Sequence, residues 1–182
     1  MDDIGMILDV VLVPEAGFFL AFLIFLILLW VVLRRIKGLG RTMAVLELGQ
    51  LELYFQSSEI RKCRLRLITT ERTDMKALQA RSAELLNFFD RVGLLVQRGI
   101  LPQKEMWQSF GTPILGYFSF LVPFIQWLRT EERDPDIYLY FEDLNDAVYR
   151  QNYKLDRKKA RPLMEGEELS RFMEEEKAAL SN

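Results

Sequence analysis

Histidine is absent from this 182-residue chain, and cysteine occurs once, at Cys63. Without histidine the chain lacks the commonest general base and the commonest metal ligand. A single cysteine cannot form an internal disulfide, which is consistent with a reducing compartment. The sequence also has no glycine-rich phosphate loop and no serine nucleophile motif. These absences favour a non-enzymatic protein without cofactor or metal, with an enzyme that uses carboxylates alone as the alternative.

An excess of either charge is also missing. Lysine and arginine total 24 residues, and aspartate and glutamate total 26. Four of the acidic residues, Asp2, Asp3, Asp9 and Glu15, come before any basic residue. A nucleic-acid-binding domain normally carries a strongly basic face. The sequence therefore predicts no nucleic-acid partner.

What the chain does contain is a long apolar run near its start. From Phe18 to Leu33, 14 residues are Leu, Ile, Val or Phe. Each favours insertion at the bilayer centre by about 0.3–0.6 kcal/mol, so together they contribute roughly 4–8 kcal/mol. A helix over 17–33 rises about 26 Å, close to a hydrocarbon core of about 30 Å. We predict a transmembrane helix with its basic border over 16–37.

Basic residues follow the run at Arg34, Arg35, Lys37 and Arg41. Lysine and arginine stay on the cytoplasmic side of a membrane. The expected topology is therefore single-pass, with segment 1–15 outside and the rest in the cytoplasm at a bacterial inner membrane. The acidic start argues against a cleaved signal peptide. The lipid bilayer is thus the first predicted partner, and these four residues are predicted to lie at its headgroups.

The remaining sequence has helical spacing of apolar residues and no strand-like alternation, so we expect an all-α cytoplasmic domain over 41–152. Gly38 and Gly40 are predicted to interrupt the helix that leaves the bilayer, and Gly99 to end a long helix near Gln97. The predicted helix starts are Ser57 or Ser58, Thr73 or Asp74, Pro102, Thr112–Pro113 and Asp136.

The segment 106–128 contains no charged residue. We expect a buried or interfacial helix there, kinked at Pro123. A second membrane crossing is the alternative, but it would place Arg129 and Arg133 outside, against the distribution of basic residues.

Nine aromatic side chains are predicted to belong mainly to the core of the domain. They are Phe88, Phe89, Trp107, Phe110, Tyr117, Phe118, Phe120, Phe124 and Trp127.

The last segment, 153–182, is highly charged and reads as a mobile tail that folds on a partner. Within it Leu169, Phe172 and Met173 have the spacing of a short amphipathic helix.

A basic stretch, Arg61, Lys62, Arg64 and Arg66, is the main candidate contact surface. It can bind anionic headgroups, at about 1 kcal/mol for each nearby charge, or a protein partner. A solvated helix face is the alternative. Cys63 lies among these charges, which would favour its thiolate, although a half-buried structural cysteine is the default interpretation.

Glu142, Asp143 and Asp146 could face a metal from one helix, but an acidic helix surface is the favoured interpretation, so no metal site is predicted.

A family resemblance rests on the glycine-stopped stretch 89–101 and on the apolar pattern that follows it. That pattern comprises Trp107, Phe110-Gly111, Tyr117, Pro123, Arg129 and Phe141-Glu142-Asp143-Leu144. Over about Tyr54–Asn152 the chain resembles the bacterial domain-of-unknown-function family catalogued as number four-seven-six-zero. The resemblance implies a short N-terminal span followed by a helical cytoplasmic region, and it supplies no activity.

Taken together, these features predict a membrane-tethered interaction or regulatory module that associates with itself or with another membrane-associated protein. A pore-forming or membrane-disrupting effector that inserts 106–128 is the alternative.

Overall fold

The computed structural model describes residues 3–156 and 162–181, and every regular element in those ranges is an α-helix. The all-α class is therefore confirmed. The helices are α1 (Asp3–Phe55), α2 (Ser58–Ile68), α3 (Met75–Gln97), α4 (Gln103–Glu132), α5 (Leu139–Leu155) and α6 (Gly166–Ser181).

The chain divides into two compact units, Met1–Met43 and Ala44–Asn182. In the first unit, the described side chains from Phe18 to Arg35 are all exposed. The predicted interruption at Gly38 and Gly40 is wrong, because α1 continues through both glycines. Glycine costs a helix about 1 kcal/mol per residue relative to alanine, which weakens a helix without ending it.

Several predicted helix boundaries are confirmed by their capping geometry. The Ser57 hydroxyl accepts a hydrogen bond from the backbone N–H of Ile60, with an oxygen–nitrogen distance of 3.4 Å. The Asp74 carboxylate accepts one from the N–H of Ala77 at 3.0 Å. Beyond the end of α3, Gly99 has a φ of +70°, a conformation that glycine adopts without strain.

The predicted helix start at Thr112–Pro113 is wrong, since α4 runs unbroken through Pro113 and Pro123. A proline inside a helix cannot donate to the carbonyl four residues earlier. For Pro123 that carbonyl belongs to Ser119, and it accepts a hydrogen bond from Nη2 of Arg72 at 2.6 Å instead. A side chain from outside the helix thus replaces the lost partner.

The predicted start of α5 at Asp136 is also wrong. The helix begins at Leu139, after Tyr138 in a left-handed conformation with no side-chain cap of its own. Asp90 of α3 supplies the cap, because its Oδ1 accepts from the N–H of Phe141 at 3.1 Å.

Helices α2 to α5 enclose an aromatic core in the second unit. Phe89 and Phe141 are stacked with 4.8 Å between ring centroids, and Phe55 from the end of α1 contacts Phe89 and Phe110. Of the nine predicted core aromatics, seven are buried, while Trp107 and Trp127 are partly buried against the core.

The segment 106–128 lies in that core, with Ile114, Phe118, Leu121, Phe124 and Ile125 all buried. The burial expected for this segment is therefore observed.

Helix α6 is part of the second unit rather than a separate tail. It packs against α2 and α4, with Leu169 and Phe172 buried. The amphipathic helix predicted there is present, and its apolar face is covered by the same body. Residues 157–161, which hold the basic part of the segment assigned to a tail, lie outside the described residues.

Candidate functional site

Arg64 is the most unusual of the four basic residues that the sequence assigns to a contact surface. Its side chain is buried by helices of its own chain, with only 4 % of the residue exposed, so it does not lie on the exposed face where the sequence placed it. The reason is its place on α2. Ile60, Cys63, Arg64 and Leu67 form one stripe at helical spacing, and all four face the core.

The buried charge is neutralised from a distant part of the chain. Nε of Arg64 donates to Oε1 of Glu176, on α6, at 2.7 Å, and Nη2 donates to the same oxygen. Only 12 % of the Glu176 side chain is exposed. A buried charge is tolerated only with such a partner, because removing one member of a buried pair costs about 3–5 kcal/mol.

Tyr117 of α4 completes the arrangement. Its hydroxyl lies 2.5 Å from Oε1 of Glu176, to which it donates, and 3.2 Å from Nε of Arg64, from which it accepts. Burial raises the pKa of Tyr117, and the Glu176 carboxylate raises it further. The phenol therefore stays protonated and serves as a donor, not as a base.

The Arg64 guanidinium also binds the end of α1. Nη1 donates to the carbonyl oxygen of Phe55 at 3.1 Å, and the guanidinium lies 4.0 Å from the centroid of the Phe55 ring. A cation at a helix C-terminus complements the helix dipole, and a cation over an aromatic face is favourable. Arg64 thus joins α1, α2, α4 and α6.

A cleft of about 510 Å³ opens beside this cluster. Its walls include Arg61, Arg64, Phe110, Glu176 and Leu180. At its rim, Nη2 of Arg61 donates to the carbonyl oxygen of Ala179, near the C-terminus of α6, at 3.3 Å. The cleft is therefore bounded on one side by α2 and on the other by α6.

The other two basic residues of the stretch, Lys62 and Arg66, are exposed. They lie with Glu59, Arg81 and Glu84 around a second cleft of about 570 Å³. The contact surface predicted from the sequence is thus divided: Arg64 is internal, Arg61 is half-buried against α6, and Lys62 and Arg66 face outward.

Cys63 does not have the activated thiolate that its basic neighbours suggested. The thiol is buried and lies 3.1 Å from the carbonyl oxygen of Arg81, to which it donates. Burial raises the pKa of Cys63 and outweighs the opposing influence of Arg66 and Arg64. A thiol with a raised pKa is a weak nucleophile at neutral pH.

The acidic residues of α5 do not gather into a metal site. Among the residues that the structure describes, no group of three potential metal ligands comes together. Glu142 instead accepts a hydrogen bond from Nη1 of Arg129 at 2.8 Å.

At the basic border of the apolar run, Arg34 and Arg35 are exposed, and the Arg34 guanidinium lies 5.3 Å from the centroid of the Trp30 ring. Lys37 and Arg41, the other two predicted border residues, have side chains outside the described set.

Among the residues that the structure describes, two helices are long and apolar enough to cross a membrane. One contains Phe18–Arg35, with mean hydropathy 2.4 and none of its residues buried. The other is Gln103–Glu132, with mean hydropathy 1.2 and 56 % of its most apolar window buried. Length and composition are weak evidence of membrane association. The two helices differ in burial, since the first is fully exposed and the second is mostly buried in the protein.

A comparison with protein-family models shows which family the chain belongs to. The model of the domain of unknown function DUF4760 matches residues 48–148, which is more than half of the 182 residues. The chain belongs to the DUF4760 family. The resemblance inferred from the sequence is therefore confirmed. No curated protein and no solved structure matches the chain.

The DUF4760 region ends inside α5, so it contains Arg64 and Tyr117 but not Glu176. Glu176 was not among the residues predicted to form a functional site. The available signal was the i, i+4 spacing of Phe172 and Glu176, which places a carboxylate on the apolar side of α6.

Proposed function

We propose that this DUF4760 protein is a non-enzymatic, membrane-tethered interaction module. A single span over 16–37 anchors it in a bacterial inner membrane, with its start outside, and its helical body works in the cytoplasm. The observation that carries the proposal is the exposure of every described side chain from Phe18 to Leu33, nearly all of them apolar. Soluble proteins rarely leave so large a continuous apolar surface in water.

The distribution of basic residues supports the orientation. Arg34 and Arg35 follow the apolar stretch at its C-terminal end, where the charge rule places cytoplasmic residues. A tether of this kind confines the body to two dimensions and raises its effective concentration for neighbours in the same membrane. Self-association and association with another membrane-bound protein are both favoured by that confinement.

A non-enzymatic role is supported by the chemistry of the side chains described above. The chain has no histidine, the Cys63 thiol is buried with a raised pKa, and Tyr117 is held protonated. These groups are poorly suited to act as base or nucleophile near neutral pH.

The alternative is a pore-forming effector that inserts α4. Its support is the apolarity of Gln103–Glu132. Against it, α4 supplies Ile114, Phe118 and Leu121 to the core of the second unit, so insertion would require that core to come apart.

Membrane anchoring is tested by fractionation with an alkaline carbonate wash. Replacing both Leu26 and Leu28 by Arg costs insertion roughly 6–8 kcal/mol, comparable with the whole gain estimated for the span. We expect this double variant to leave the membrane fraction. The matched control makes the same change at two exposed leucines of the body, Leu46 and Leu53, and should leave partitioning unchanged. Wild-type protein in the soluble fraction would refute the proposal.

The two topologies are separated by labelling single cysteines in a Cys63→Ser background with a membrane-impermeant maleimide. Lys62 precedes α4 in the chain, Glu132 is the last residue of α4, and both are exposed. Under the proposal, Lys62→Cys and Glu132→Cys are both protected in intact cells and both react after permeabilisation. If α4 crosses the membrane, Glu132→Cys reacts from outside while Lys62→Cys does not.

A further inference from the structure

The face of the body beneath α6 is shaped to receive a helix. Phe172 of α6 packs edge-on against the Tyr117 ring, with 5.4 Å between the centroids and an angle of 89°. It also lies over Gly116 of α4, where a Cβ atom would stand 2.4 Å from the ring. A glycine here leaves the space that the aromatic ring fills.

The same face is charged to receive an acidic helix. Arg64 meets the Glu176 carboxylate, and Arg61 donates to the carbonyl of Ala179. The first contact neutralises a side chain of the helix, and the second complements the negative end of its dipole. Both arginines belong to α2, one helical turn apart.

The receiving face and the helix that fills it lie in different parts of the chain. Gly116, Tyr117, Arg61 and Arg64 all lie in the region 48–148 that defines the family, whereas α6 lies beyond it. The family region therefore presents a buried arginine whose counter-charge comes from elsewhere.

We propose that this face of α2 and α4 is a binding site for an acidic amphipathic helix that carries an aromatic residue and a carboxylate one turn apart. Helix α6 occupies the site within its own chain, and α6 of a second copy exchanges into it. The second copy is the partner because it brings the complementary ring, carboxylate and helix end, and exchange of identical elements is a low-cost route to a dimer.

This inference rests on the proposed self-association but not on membrane insertion. It also specifies a geometry: the two copies exchange α6 and keep the same Arg64–Glu176 and Tyr117–Phe172 contacts.

The first test measures binding of a fluorescein-labelled peptide of residues 166–181 to the full chain in detergent, by anisotropy. Glu176→Gln in the full chain weakens the internal contact, so we expect it to bind the wild-type peptide at least tenfold more tightly than the wild-type chain does. Glu175→Gln is the matched control, because Glu175 is adjacent and exposed. Adding Arg64→Met to Glu176→Gln should abolish the gain, whereas adding Arg66→Met should not.

The second test needs no variant of the buried cluster. In a Cys63→Ser background, one chain carries Arg61→Cys and another carries Ala179→Cys, and the two are mixed with a short bis-maleimide. Exchange of α6 yields a cross-linked heterodimer, while a pair with Arg66→Cys in place of Arg61→Cys should yield far less.

The proposal is overturned if the peptide binds no better to folded Glu176→Gln than to wild type, or if binding survives Arg64→Met. It is also overturned if the 61–179 pair gives no more heterodimer than the 66–179 pair. Light scattering distinguishes this failure from failure of the proposed function, since copies can associate without exchanging α6.

Discussion

Gly93→Ala should destabilise the body by about 2 kcal/mol, because α3 and α5 meet at this residue without room for a side chain. A Cβ atom at position 93 would stand 2.0 Å from the carbonyl oxygen of Tyr140 and 2.6 Å from its carbonyl carbon. Both are backbone atoms, so no side-chain rotation relieves the clash. The helices would have to separate by about 1 Å, because real Cβ atoms essentially never come within 3.0 Å of another heavy atom.

The magnitude follows from two opposing effects. Overpacking a close contact costs about 1–3 kcal/mol, and an immovable backbone neighbour favours the upper end of that range. Alanine in place of glycine stabilises the helix by about 1 kcal/mol, because of its higher helix propensity. The net loss of about 2 kcal/mol corresponds to a midpoint about 6 °C lower for a body of this size.

Gly49→Ala is the matched control, because a Cβ there meets nothing within 4 Å in the same α-helical conformation. It should raise stability by about 0.5–1 kcal/mol. Thermal unfolding followed by circular dichroism in mild detergent measures both variants. If Gly93→Ala unfolds at or above the wild-type midpoint, the close approach of α3 and α5 is refuted.

Three further predictions concern single side chains of the body. Asp90→Ala should cost about 1 kcal/mol by removing the cap of α5, while Asp90→Asn keeps an acceptor. Burial raises the pKa of Asp90 above its ordinary value of 3.8, so the wild-type free energy of unfolding, measured with denaturant, should fall relative to that of Asp90→Asn as the pH rises from 3.8 through the raised pKa. Arg72→Met should lower stability by about 1–2 kcal/mol in the same assay, because the Ser119 carbonyl loses its partner. Alkylation of Cys63 by a maleimide should be at least tenfold slower than that of an Ala83→Cys, Cys63→Ser variant, and equal rates would contradict its burial.

The features that could be predicted from sequence are those that local chemistry determines. The caps at Ser57 and Asp74 and the turn at Gly99 were predictable because each rests on a residue acting on its own neighbours. The helical class and the aromatic core followed from the spacing of apolar residues. Family membership followed from the combined pattern.

Two of the wrong predictions, the start of α5 and the exposure of Arg64, share a different cause, since each depends on a partner remote in sequence. A remote partner also acts at Pro123, where Arg72, 47 residues before Ser119, donates to the carbonyl that the proline leaves free. Asp136 is the better local cap, yet Asp90 caps α5 at Phe141, 51 residues away. Arg64 was predicted to be an exposed charge because its partner, Glu176, lies 112 residues later in the chain. Spacing along one helix carries no information about such partners.

The position of Glu176 has a consequence for how the protein is made. Ribosomes synthesise α6 after every element that it covers, so each nascent chain passes through a stage in which Arg64 and Tyr117 are present and their carboxylate is not. During that interval the arginine is either solvated in an unfinished body or bound by another acidic group. Completion of the fold therefore waits for α6.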